Sequence, residues 1–204
     1  MANEIDVSAV IDRLLPDLNA DVMADLAFWT ETDLYKYADE GVQRIARACG
    51  VYVDRTTATM VSGTAEYATP ARHLSTLQID INGSALRPAS VRDLEALEDT
   101  WEASTGTPTR FVQDYQGTAK VRLWKKPTAG GTLAWIYQQL PPDVTKAADT
   151  LDGSGPMEDV ITFSVIAAAR SRECDGSMPE VAAHCEERLA QFEQIFTHLW
   201  GGAR

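Results

Sequence analysis

Residues 77–90 read LQIDINGSALRPAS. Leu77, Ile79 and Ile81 alternate with Gln78, Asp80 and Asn82. That is the period-two pattern of a strand with one buried face. Asn82-Gly83 follows, a pair that suits a type I′ turn because both central residues need positive φ. The two-residue loop predicts a hairpin of residues 72–81 and 84–88. It pairs Ile81 with Ser84, Ile79 with Leu86 and Leu77 with Pro88, so Leu77, Ile79, Ile81 and Leu86 share one face. Both ends of the chain read as helix. The expected fold is therefore α+β: an antiparallel helical bundle from the N- and C-terminal segments, with an inserted, mostly antiparallel β domain. Such an arrangement suits an assembly part better than an enzyme.

Working outward toward the N-terminus, VYVDRTTATMVSGTAEYATP (51–70) is rich in Val, Thr and Tyr, as strands are, and Pro70 ends it. Before it, Gly50 stops a helix predicted over about 31–49. Thr30 is its N-cap, with Asp33 as a short variant of the capping box. Trp29 and Leu34 stand at the two positions of a hydrophobic staple. Leu34, Ala38, Val42 (or Gly41), Ile45 and Cys49 form the apolar stripe. Residues 20–28 fit helix or loop. Val7, Val10, Ile11 and Leu14 mark an earlier helix over 5–15 that Pro16 is expected to close.

On the other side of the hairpin, Val91, Leu94, Leu97 and Trp101 predict a short helical crossover, and TGTP (105–108) a turn. RFVQDY, KVRLWKKP and GTLAWIYQQLPP read as three strands, separated by Gln116-Gly117 and by Ala129-Gly130-Gly131. About six strands are expected between residues 55 and 140. Residues 141–156 form an acidic, turn-rich connector, and Pro156 suits the first turn of a helix. That helix carries Val160, Ile161, Ser164, Ala167 and Ala168 on one side. Asp175-Gly176-Ser177 makes a turn with Ser177 as N-cap. The last helix has Val181, Cys185, Leu189, Phe192, Phe196 and Leu199 as its stripe. The domain boundaries are placed at 1–54 with 141–204 for the helical bundle, and 55–140 for the β insertion.

The chain has 204 residues, a net charge of −12 and 45% hydrophobic residues, enough for a sizeable core. Residues 1–50 hold 4 basic and 10 acidic residues, residues 51–140 hold 9 of each, and residues 141–204 hold 5 and 11. The acidity thus lies in the helical ends, which disfavours tight nucleic-acid binding by phosphate neutralisation. No apolar run approaches the roughly 20 residues that span a bilayer. MANEIDVSAV lacks a basic segment followed by an apolar one, so no secretory signal is expected. Cys49, Cys174 and Cys185 read as reduced, buried thiols.

Chemistry-bearing patterns are sparse. His184 and Cys185 are neighbours, about 100° apart on a helix, so they cannot work as a base and a nucleophile together. The cysteines lack zinc spacing and no HExxH occurs. A Cys174–Cys185 contact across the last two helices would be packing. His73 reads as a surface histidine near the start of a strand. The glycine runs at 128–131 and 153–155 fit no phosphate loop. Acidic pairs such as Glu158-Asp159 are sequential and diverge on a helix. No catalytic, cofactor-binding or metal residue is assigned, and an enzyme is not expected. Aromatic residues say more. In KVRLWKK, Val121 and Leu123 share one face, while Lys120, Arg122 and Trp124 share the other. Trp124 is either shielded by its long basic neighbours or a contact for another protein. On the second reading, Arg122, Trp124 and Lys125 are a candidate subunit or tail interface. Trp200, beside Gly201, Gly202 and Arg204, is hard to bury within one chain and reads as a docking residue.

The order of these pieces resembles a known family. FWTETDLYKYADEGVQRIAR (28–47) resembles the "WT-x-x-DL-x-x-Y-x-x-x-G" opening helix of bacteriophage head-to-tail connector proteins. IDINGSALRPAS, LEALEDTW, TGTPTRFVQDY, KVRLWKKPTAGGTLAWIYQQLPP and an acidic break before the last helices follow in the family's order. The similarity covers about residues 5–200 and is to neck adaptors of the tail tubular protein A type. Ala38-Asp39-Glu40 departs from the Asn-Asp or Asn-Glu expected before the glycine. The resemblance implies a structural virion protein in the head–tail neck, assembled in the host cytoplasm. It would form a ring, usually a 12-mer, joining the capsid portal to the downstream tail or nozzle protein. Double-stranded DNA would pass through its channel without specific binding, and no cofactor or membrane is implied. Leu199, Trp200 and Arg204 become candidate portal-docking residues by position. The alternatives are a neck stopper, or gatekeeper, and a scaffolding or binding module outside the virion. A stopper needs a plug, and the acidic 141–156 segment is poor in apolar residues, which favours an adaptor.

Overall fold

The computed structural model describes residues 4–20, 29–146, 150–152, 155–171 and 178–200. In chain order these form β1 (Glu4–Asp6), α1 (Val7–Asn19), α2 (Glu31–Cys49), β2 (Val53–Met60), β3 (Glu66–Ala68), β4 (His73–Ile81), β5 (Ser84–Ala85) and β6 (Arg87–Pro88). Then come α3 (Val91–Leu97), β7 (Thr105–Gly106), β8 (Arg110–Gln113), β9 (Lys120–Trp124), β10 (Lys126–Pro127), β11 (Gly131–Gln139), β12 (Thr150–Asp152), α4 (Gly155–Ser171) and α5 (Pro179–Trp200). The fold is α+β, with a helical bundle built from the two chain ends and a mostly antiparallel β insertion. Two compact units divide the chain: Met1–Val51 with Leu140–Arg204, and Tyr52–Gln139.

In the helical unit, α4 is central and touches α1, α2 and α5. Local signals fix α2. Thr30 and Asp33 complete a reciprocal capping box, and Gly50 takes the left-handed conformation (φ 61°) that ends the helix. A cap of this kind contributes about 1 kcal/mol. Trp29 and Leu34 are both buried, as a staple requires. The stripe Leu34, Ala38, Val42, Ile45 and Cys49 is buried throughout. Gly41 lies on the same side, facing Ser164 of α4.

Several expectations need correction here. Pro16 does not close α1, which runs on to Asn19 with Pro16 inside it. The burial of Leu14 and Leu18 on either side of the proline holds the helix together across the lost hydrogen bond. The 141–156 segment is not simply a connector. β12 pairs antiparallel with β1, burying Ile5 against solvent together with Leu151. The last helix buries Cys185, Leu189 and Phe196 of its expected stripe and half-buries Phe192, but the two ends of the stripe, Val181 and Leu199, are exposed, and Ala182 is buried instead of Val181. In α4, Val165 and Ala169 are buried and Ala168 is half-buried. The expected turn at Asp175–Ser177 and residues 21–28 lie outside the described residues.

In the β unit, two four-stranded sheets run β2-β11-β4-β5 and β3-β9-β8-β6. Ile79, Ile81, Leu133, Trp135 and Tyr137 of the first share one core with Phe111, Val121 and Leu123 of the second. The hairpin turn has the expected geometry, with φ 49° at Asn82 and 83° at Gly83. Ile81 pairs with Ser84, and the Leu86 N–H donates to the Ile79 carbonyl. The hairpin then ends early. Arg87-Pro88 leaves for the other sheet and pairs parallel with Arg110-Phe111. At its far end, β4 slips register against β11 so that Leu77 and Leu74 are extra residues, and Leu77 is only half-buried. These are β-bulges, which bend the strand away from simple alternation. The Thr76 N–H freed there donates to Gln113 Oε1 at 3.0 Å. The crossover helix stops at Leu97, which is exposed, and turns carry the chain to buried Trp101. TGTP is more than a turn, since Thr105-Gly106 pairs parallel with Lys126-Pro127.

Candidate interaction site

Within each unit, no described histidine hydrogen-bonds a thiol. His73 is half-buried in the β unit, stacked on Tyr137 (centroids 5.7 Å apart), with its Nε2 2.9 Å from Thr76 Oγ1. Burial pushes its pKa below the ordinary imidazole value, and the Asp114 carboxylate works against the shift. Cys49 and Cys185 belong to the helical unit and are free and buried. Burial raises both thiol pKa values, so neither is primed as a thiolate. Cys49 Sγ lies 3.4 Å from the Glu193 carbonyl of α5, a packing role. His184 is exposed where Cys185 is buried, the divergence that adjacency on a helix imposes. Cys174 lies outside the described residues. Among the described residues there is no cluster of three or more metal-ligating side chains, and no helix long and apolar enough to cross a membrane.

The aromatic face of β9 is more elaborate than alternation suggested. Arg122 is buried. Its guanidinium lies 4.8 Å from the Tyr115 ring centre and 5.1 Å from that of Trp101. It donates to Glu66 Oε1 at 2.7 Å and to the Glu102 carbonyl at 2.9 Å. Tyr115 donates in turn to the Glu102 carboxylate, which raises the phenol's pKa. Arg122 is thus a structural cation between two rings. This removes it from the exposed surface on which an interface role was expected. Trp101 and Tyr115 were the signal, but 21 and 7 residues of separation hid the pairing from periodicity.

Trp124 is half-buried, with Lys125 Nζ 4.9 Å and the Arg110 guanidinium 5.8 Å from its ring centre. The left-handed backbone at Lys125 (φ 72°) accompanies this return of its side chain over the indole. The ring still lines an open groove of about 610 Å³ with Arg87 and Arg110. Neither arginine was singled out from the sequence, because their adjacency depends on the parallel β6–β8 pairing.

On α5, Leu199 is 62% exposed and Ile195 52% exposed. Both stand in the last turns of the helix, where docking was expected, whereas the exposed Val181 lies in its first turn. Trp200 ends α5. Arg204 lies outside the described residues. The opposite side of α5 is tied to α2, where Arg44 pairs with Glu186 at 2.7 Å and Glu193 at 2.5 Å.

Two surface features stand out among the described residues: the apolar end of α5 and the Arg87–Arg110–Trp124 groove. None of the curated proteins matches the chain. The family model described as SU10 adaptor protein matches residues 5–201, nearly the whole length, so the chain belongs to this family of phage adaptor proteins.

Proposed function

We propose that the protein is an adaptor ring of the tail tubular protein A type, joining the capsid portal to the tail and forming part of the DNA channel. Twelve copies would stand beneath the portal, with the downstream tail or nozzle protein on the far side. The family match over residues 5–201 is the observation that carries the reading. Charge supports it. The acidic excess belongs to the helical segments, and Asp12, Asp17 and Glu187 are exposed there. A wall of that sign repels phosphates and lets DNA pass without adhering. The apolar end of α5 around Leu199 and Trp200, with Arg204 following in the sequence, is our candidate for portal docking.

An adaptor is favoured over a stopper by the connector after the β unit. The Val144 N–H donates to Asp39 Oδ1 at 2.9 Å, and β12 is paired with β1. A segment held at both places is ill suited to swing into a channel. Electron microscopy of the protein mixed with the portal protein of the same phage tests the proposal. A twelvefold ring stacked on the portal, with an open bore, is the expected image. A closed bore would favour a stopper, and no binding to the portal would overturn the reading.

A further inference from the structure

The β unit holds nine basic and nine acidic residues between Tyr52 and Gln139, and two of its surface patches carry one sign each. Strand register sets Arg87 of β6 opposite Arg110 of β8, and Arg110 opposite Trp124 of β9. Neighbouring strands lie about 4.8 Å apart, and like charges directly opposite weaken a sheet. Neither arginine enters an ion pair among the described residues. The groove they line has an apolar floor of Ile81, Leu86, Pro108 and Trp124, and no carboxylate. The sheet thus carries a repulsive pair that nothing in its own groove neutralises.

The counterpart lies on the same unit. Residues 93–102 contain five carboxylates and no Lys or Arg. Three are engaged within the chain. Asp93 feels Arg110 electrostatically but is held by the Ser90 cap, Glu98 accepts from Ser104, and Glu102 accepts from Tyr115. Glu95 and Asp99 are exposed and enter no ion pair among the described residues. Between them stands Leu97, 53% exposed.

We propose that the Glu95–Leu97–Asp99 shoulder of one copy docks in the Arg87–Arg110–Trp124 groove of a second copy. Leu97 meets the apolar floor. The two carboxylates meet the guanidinium forks, whose planar geometry suits paired hydrogen bonds. Shoulder and groove are different patches, so the contact is heterologous. Each docked copy keeps one patch free, and repetition gives a row that closes into a ring or stays open. The inference names a subunit contact for the ring proposed above, and rests on that reading for the closure.

The test is carbodiimide cross-linking of the full chain at high protein concentration and physiological salt, with half the protein isotopically labelled so that links between copies are identified. Lys125 should link to Glu95 or Asp99 of another copy, giving a ladder of multimers. Arg87→Glu with Arg110→Glu should lower the yield about tenfold or more, and so should Glu95→Lys with Asp99→Lys. An equal mixture of the two double variants, in which opposite charges face again, should restore the ladder. Wild-type yield from either variant, a mixture that stays monomeric, or no ladder from the wild type overturns the contact. Folding of each variant is checked by circular dichroism, and all four positions are solvent-accessible. Twelvefold rings on the portal with unaltered cross-linking of the variants would sink the contact and leave the ring. A wild-type ladder without a portal ring would do the reverse.

Discussion

Gly41 of α2 sits against Ser164 of α4 so closely that a Cβ on Gly41 would lie 2.0 Å from Ser164 Oγ and 2.4 Å from Ser164 Cβ. This is where the N-terminal and C-terminal segments of the helical unit meet. A glycine in a helix interior ordinarily costs about 1 kcal/mol relative to alanine. Here the close approach of two helices requires it.

Gly41→Ala should therefore destabilise the helical unit despite its better helix propensity, by about 1–3 kcal/mol of overpacking. Ser164→Gly in the same chain should recover much of the loss, because it removes both atoms that clash. Ser164→Ala should recover little, because Cβ remains. Denaturant midpoints of the three variants decide the matter. A neutral Gly41→Ala would show that the helices separate without cost.

Arg122 should be the most sensitive position of the β unit outside its apolar core. Arg122→Ala leaves Glu66 with only the longer Lys120 contact at 3.5 Å, frees the Glu102 carbonyl and opens a gap between Trp101 and Tyr115. Because Arg122 is buried while Glu66 is partly exposed, the loss should be about 1–3 kcal/mol. Arg122→Lys should rescue only partly, because an ammonium cannot lie flat between two rings while donating to both oxygens. Thermal unfolding monitored by near-ultraviolet circular dichroism would report both the stability and the loss of aromatic order. Equal stability for Lys and Arg would remove the stacking argument.

Pro16 offers the opposite sign. It is exposed inside α1 and has no N–H to give to the Asp12 carbonyl. Pro16→Ala restores that hydrogen bond and should stabilise the unit by about 2 kcal/mol, after allowing for the greater freedom of the unfolded chain. Urea titration checks it. A loss of stability would mean that the packing of α1 depends on the bend that proline introduces.

How much of this was legible beforehand follows from the range of each signal. Thr30, Asp33 and Gly50 act within one helical turn, and α2 runs between them as expected. Asn82-Gly83 acts on its immediate flanks, and the first rungs of the hairpin formed as expected. The strand's departure at Arg87 depends on β8, more than twenty residues on, and the bulges at Leu74 and Leu77 depend on β11, about sixty residues on. The same holds for β1 with β12, and for the packing of α5 that leaves Val181 and Leu199 exposed at the two ends of its stripe. At the candidate surfaces, Trp124 was visible as an amphipathic choice between shielding and contact. Arg87 and Arg110 became neighbours only through a parallel pairing that no local pattern announces.

His73 should make stability depend on pH below neutrality. Its ordinary pKa is 6.5, and burial against Tyr137 holds the folded value lower. As pH falls through about 6.5, the unfolded chain takes up a proton that the folded chain refuses. The unfolded state then binds more protons, so stability rises with pH across this window and falls on acidification. His73→Phe keeps a ring beside Tyr137 and removes the titration, at the loss of the Thr76 hydrogen bond. Between pH 7.5 and pH 5.5 the wild type should lose more unfolding free energy than this variant, although the variant starts lower. Carboxylates titrating over the same range affect both proteins alike, so the difference isolates the imidazole. Parallel losses in the two proteins would show that His73 is solvated enough to accept its proton in the folded state.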